Sequence, residues 1–440
     1  MKSNFFQTTL MVIFIVGAIV AVLIFAGVIK VGKDKTAIQG QVTIWGTFNK
    51  MDLSDVIETA SGNAGSGLTV TYVQKDKVSY QNDLINAFAK DQAPDLFIIT
   101  PDMIIKDESF IYKIPYESYS EKIYQDTFID GADIYLGSDG IVGFPIAIDP
   151  MVMYYNKNMF ANEGIATIPS YWDELSDLNS RLTKKENDGT ITKSMIAMGQ
   201  YSNIANSKDI IATLMIQSGN SMISRIDKGY QSTIKDNPLS LPESPIGSVF
   251  SFFTGFSNPT AEIYSWNKGM PDSFDMFVND NLAMYLGHAS ELFKIEDANP
   301  NLSFDVKMIP QARGVAYKKT SADIYAVVVS KKSPNMTAAF SLASRLSSGD
   351  LASSFAEAVS LSPASRALLS IKPKEPYLDT FFNSAIISSS WIDPDSNGSD
   401  LIFNEVLDNI LSNKLNTNDA FTKADDQLNK LIKNNYDAKQ

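Results

Sequence analysis

The chain has 440 residues, a net charge of −13, one histidine and no cysteine. Its length exceeds one compact core and predicts two or three domains, and its negative charge argues against nucleic acid or an anionic membrane surface as partner. Disulfides, thiolate metal sites and cysteine nucleophiles are excluded. No metal of the usual His/Cys kind and no cofactor is expected, and a Ser-His-Asp triad could be built only around His288.

From Thr8 to Ile29 the sequence is uncharged and apolar, long enough to cross a bilayer as a helix. The run exceeds the apolar core of a signal peptide and lacks a clean small-residue cleavage pattern after it. Residues 1–36 therefore read as an uncleaved signal anchor with a short linker, contacting the lipid bilayer through residues 8–29. Against this, Lys2 precedes the run while Lys30, Lys33 and Lys35 follow it, a balance that alone favours a cytoplasmic C-terminus. Long downstream domains translocate largely regardless of such charges.

Beyond Gln41 the pattern becomes α/β. QVTIWG reads as a strand, Asp52–Ala60 as a helix, SGNAGSG as a turn and LTVTYV as a second strand. Ser79 can cap a helix whose Tyr80, Leu84 and Phe88 recur at helical spacing. PDLFII is a short apolar strand of the parallel-sheet kind. Further on, Ile141–Asn156 holds two strand-like apolar runs around a lone carboxylate, Asp149, as expected where a chain crosses between domains with an acid aimed into a cleft. Ser170 and Asp173 approximate a capping box for a helix carrying Trp172, Leu175, Leu178 and Leu182. SMIAMG is a strand, and Asp227–Pro245 reads as a loop. SADIYAVVV is a strand followed by a helix with Ala338, Ala339, Leu342, Ala343 and Leu346 on one face, and two amphipathic helices close the chain.

The order Pro145, Asp149, Tyr155, Asn156, Lys157, Phe160, Gly164, Pro169, Trp172, Asp173, Glu174, Leu175 closely resembles the lobe-crossing stretch of the family 1 extracellular solute-binding proteins, the maltose-binding-like receptors of ABC importers. Phe277, Ala283, Met284 and Gly287 resemble a later block of that family, with Asn281 where it prefers glycine. The resemblance implies an α/β, two-lobed periplasmic-binding-protein-like fold with a hinged cleft, behind the N-terminal transmembrane helix. One lobe is expected over 40–147 plus 322–360 and the other over 148–320 plus 361–440. It further implies a carbohydrate or related small solute as ligand, an ABC transporter permease as partner, and a receptor domain on the extracytoplasmic side of the cell membrane.

Sugar recognition pairs flat aromatic rings with carboxylates and amides that bond hydroxyls. Trp45, Thr47 and Asn49 end the first strand, where parallel sheets open to a cleft, although Trp45 could equally close the core. The resemblance points to Trp266 and Trp391 as stacking rings, to Asp102 as a hydroxyl contact and to Asp149 as a hinge-side carboxylate. Either acid could instead be a cap or a hinge bonder. His288, Ser290 and Glu291 fall in a loop that reaches ligand in the family, and Tyr201 with Asn203 follows the SMIAMG strand. Trp172, Tyr154 and Tyr155 look like packing. Asp393–Gly398 begins like a calcium loop, but its twelfth position is Asn404, and a turn into a helix capped by Asp400 explains the same letters. A surface glycan sensor or adhesin would share every residue with a transport receptor. A glycan-cleaving hydrolase using Asp149 with Glu291 is the enzymatic rival.

Overall fold

The computed structural model describes residues 40–62, 67–227, 229–236 and 245–437. The predicted span 8–29 lies outside the described residues; among those described, no helix is long and apolar enough to cross a membrane.

The QVTIWG, LTVTYV and PDLFII patterns become β1 (Gly40–Gly46), β2 (Leu68–Gln74) and β3 (Leu96–Ile99), all parallel. Their apolar residues are covered by helices such as Ser54–Ser61 on β2 and Met336–Ser347 on β1, and β3, with Phe88 edge-on to its Phe97, is buried throughout. The Ile141–Asn156 stretch yields β4 (Phe144–Asn156), thirteen residues of which all but Tyr155 are buried. It is followed by β5 (Lys184–Lys185), β6 (Ile191–Ile196), the hairpin β7 (Ile223–Ile226) and β8 (Gly229–Ser232), β9 (Leu282–His288), β10 (Phe304–Met308) and β11 (Thr320–Val329). The hydrogen-bonded order is β2-β1-β3-β11-β4-β9-β6-β5, with β10 also on β4.

One strand thus serves two sheets. The first half of β4, Phe144–Pro150, pairs with β11, and its second half, Met151–Asn156, pairs with β9 and β10. The change of partners falls at Asp149–Pro150, where proline has no N–H to give to a ladder. Two short strands complete the region, β12 (Ser362–Pro363) on β4 and β13 (Ser388–Ser389) on β11. Three segments therefore run side by side where the two α/β halves meet: β4 at Asp149–Met151, β11 at Thr320–Asp323, and β13.

Several details differ from the sequence reading. Pairing onto the first half of β4 continues past residue 360: Ser362 and Pro363 pair with Ile148 and Ala147, and Ser365 bridges Phe128, with Leu361 and Ala364 buried beside them. The capping box forms at Tyr171 and Glu174, one residue later than Ser170 and Asp173. Ser79 stands at its helix start but makes no capping bond; its N–H donates to Asp76. Helix Ser396–Leu411 is capped by Asp395, whose Oδ1 accepts from Gly398 N–H, and not by Asp400.

Candidate functional site

Parallel strands place their carboxyl ends, and the loops after them, on one side of a sheet. Here those loops wall a cavity of about 530 Å³ between the two halves. Thr47 follows β1, Lys77, Tyr80 and Gln81 follow β2, and Asp102 and Lys106 follow β3 on a single helical turn and the short helix after it. The opposite wall holds Lys208 and Asp209, which open helix Ser207–Gln217, and Trp391, Asp393, Ser396 and Asn397, which follow β13. Asp323 and Tyr325 of β11 form the floor at the hinge.

The polar groups on this wall are tied into networks. Lys208 Nζ is 2.9 Å from Asp393 and also donates to the Ser396 carbonyl and the Ser396 and Ser399 hydroxyls. Burial disfavours its charge, but Asp393 more than compensates, and its pKa rises. Lys106 bridges to Asp395 at 2.5 Å, joining the two halves across the cavity edge. Beneath the wall lies His288, whose Nε2 is 3.3 Å from Asp209 and whose Nδ1 is 3.1 Å from the Asp149 carbonyl. Burial alone would push the imidazole down; the hydrogen bond to Asp209 and the charges of Asp149, Asp209 and Asp323 hold it well above its usual range. Each of its ring nitrogens thus faces an oxygen acceptor, the Asp149 carbonyl on one side and the Asp209 carboxylate on the other. Asp209, despite burial, is pulled down by His288 and Lys208. Asp323 goes the other way: burial, aided by the nearby Asp209, Asp149 and Asp102, lifts it to about 7 against the pull of His288.

Of the residues singled out in the sequence, Thr47, Asp102 and Trp391 stand on this wall. Trp391 is only 6 % exposed, its ring edge-on to Phe403. Asp149 lies behind the wall: it is buried, its Oδ1 accepts from Ser290 N–H at 2.9 Å, and burial raises its pKa. Asp149, His288 and Ser290 thus brace Asp209 and the hinge without lining the cavity themselves. Five other candidates, Trp45, Asn49, Tyr201, Trp266 and Glu291, lie off this wall. Trp266 is 0 % exposed and satisfies its indole N–H on Asn203, so its ring is core. Glu291 folds back as the last residue of a capping box, accepting from His288 N–H, Asn206 and, at 2.5 Å, the Tyr285 hydroxyl. Trp45 is half-buried with the Lys75 ammonium 3.7 Å above its ring, off the wall. Asn49 is exposed and caps a turn at Met51. Tyr201 is also off the wall, donating to Asp400 at 2.5 Å. The calcium-like acids are already engaged, Asp393 by Lys208 and Asp395 by Lys106.

Sequence reading passed over Lys208, Asp209 and Asp323, and noticed Asp393 only as the start of a turn or calcium-like loop. Asp323 carried the signal that made Asp149 conspicuous, a lone acid inside an apolar strand, and the two are directly paired across β11 and β4.

The sequence profile of the bacterial extracellular solute-binding proteins matches residues 59–375. The chain belongs to that family. Among solved structures, a cyclo/maltodextrin-binding protein complexed with maltotetraose superposes with a TM-score of 0.70 at 16 % identity, covering 92 % of this chain and 99 % of that one. The sugar-binding protein of Xanthomonas citri gives 0.69 at 14 % identity, over 90 % and 98 %. An ABC substrate-binding protein of Listeria monocytogenes in complex with cycloalternan gives 0.64 at 17 %, over 89 % and 98 %. These likenesses establish the two-lobed fold for this family member. No curated protein matches the chain in sequence.

Proposed function

We propose that this solute-binding protein captures a carbohydrate between its two lobes and presents it to an ABC transporter permease, without catalysis. One observation carries the reading: a single cavity takes Thr47 and Asp102 from one half and Lys208, Asp209 and Trp391 from the other. A ligand touching both walls binds the closed arrangement better and shifts the population toward it. Trp391 supplies a ring for a sugar face, and the acids and amides supply acceptors and donors for hydroxyls. Neighbouring structures hold maltotetraose and cycloalternan, which makes carbohydrate the first class to test. The lobes are taken as 40–147 with 322 to about 370, and 148–320 with the remainder. Residues 8–29 would tether the receptor to the extracytoplasmic face of the membrane, so intact mass of membrane-extracted protein should include the start of the chain.

The test is calorimetry on ligands found by thermal-shift screening of sugars. Trp391→Ala and Asp102→Asn should each weaken binding about tenfold or more, as expected for loss of a stacked ring or a charge-assisted bond. Parent-like affinity in both variants would show that the ligand sits elsewhere.

A further inference from the structure

The charges lining the cavity do not balance once existing pairs are removed. Lys208 is committed to Asp393, Lys106 to Asp395, and His288 to Asp209. Lys77 stands at the exposed rim. Two wall carboxylates remain without a cation. Asp102 accepts from the Thr100 hydroxyl at 2.5 Å, and among the described residues no donor reaches Asp323. Asp323 also faces Asp149 directly across the β11–β4 ladder, a pairing of like charges on one sheet face that costs stability by itself. Asp149 has the Ser290 N–H for relief; Asp323 has only the cavity in front of it.

Building on the receptor reading, we infer that the preferred ligand is a carbohydrate bearing a protonated amine, held at Asp323 and Asp102 beside the Trp391 ring. Among the described residues no three acids or histidines converge closely enough to grip a metal ion, so the free carboxylates suit an extended molecule with donors at more than one point. A neutral sugar offers hydroxyl donors but brings no positive charge to Asp102 and Asp323. An ammonium offers three donors and the opposite charge, and an anionic sugar meets repulsion from the same groups. Burial lifts the pKa of Asp323, Asp209, Asp149 and Asp102 add to the rise, and a cation bound beside it would oppose both.

The experiment is calorimetry of the full chain against matched pairs at pH 7: glucosamine and glucose, galactosamine and galactose, mannosamine and mannose, fully deacetylated chitotriose and cellotriose. At least one amino member should bind about tenfold or more tighter than its neutral counterpart, the worth of one charge-assisted bond in a partly buried site. Asp323→Asn should lower that ratio, and Asp102→Asn gives an independent reading should the first variant fold poorly. Neutral sugars binding as tightly as their amino counterparts in every pair would overturn the amine preference while leaving the receptor reading intact. No binding by any member of either set would overturn both.

Discussion

Arg225, at the centre of the β7–β8 hairpin, reaches from the second half to the first and donates to the carbonyls of Ile134 and Leu136, both at 2.6 Å. Tyr230, further along the hairpin, approaches Glu108 at 3.4 Å, and Lys106 meets Asp395 nearby. These contacts exist only while the lobes are together. Each bond from a charged donor is worth roughly 1.5–3 kcal/mol. Opening returns both partners to water, so the net loss in Arg225→Ala should be about 1–2 kcal/mol, a factor of 5–30 in the open-to-closed ratio. The chain contains no cysteine, so exactly two labels can be placed without background. Spin labels at Met51→Cys and Phe293→Cys, both exposed and on opposite lobes, would report the separation by pulsed dipolar spectroscopy. The expected result is one dominant distance in the parent and a second, longer component in Arg225→Ala that ligand suppresses. Superimposable distance distributions would show that the hairpin contributes nothing to closure.

Three further outcomes follow from the packing and charge described above. Trp172 is buried, donates to Gln217 at 2.7 Å and lies edge-on to Phe252, so Trp172→Ala should cost about 3–5 kcal/mol in urea denaturation; a loss under about 1 kcal/mol would contradict the packing assignment. His288 has a raised pKa in the folded state, so its contribution is complete below about pH 6.5 and is lost as pH rises through the folded value. Parent stability should thus decline on the alkaline side more steeply than that of His288→Asn, and parallel urea midpoints between neutral pH and pH 9 would refute this. Lys208→Met leaves Asp393 buried without its cation and should cost about 3–5 kcal/mol, whereas adding Asp393→Leu should recover much of that loss. Additive losses in the double variant would argue against a direct pair.

The β1, β2 and β3 strands and the apolar face of helix Met336–Ser347 were legible because burial imposes a period on the sequence. The crossing at Asp149 was legible for the opposite reason, as an acid that interrupts an apolar run. The cavity wall was harder to read. Lys208 and Asp209 look like the ordinary charged start of a helix, and nothing local reveals that Asp393 lies 2.9 Å from Lys208 across 185 positions of sequence. Glu291 and Trp266 misled because position along the chain places a residue near a cleft but does not fix its rotamer. A three-residue turn was enough to send Glu291 back to Tyr285.

The sheet order also constrains when the protein can fold. Strand β11 sits between β3 and β4, yet it is the last of the three to be made. Until Thr320–Val329 leaves the ribosome, β3 and β4 each expose an unpaired edge, and the first lobe cannot close its sheet. Such long-range pairing makes folding slow, because the loop-closure entropy must be overcome before the contacts form. The first lobe of a nascent chain therefore stays open until residue 329 has been made, while the strands β4, β6, β9 and β10 can already pair.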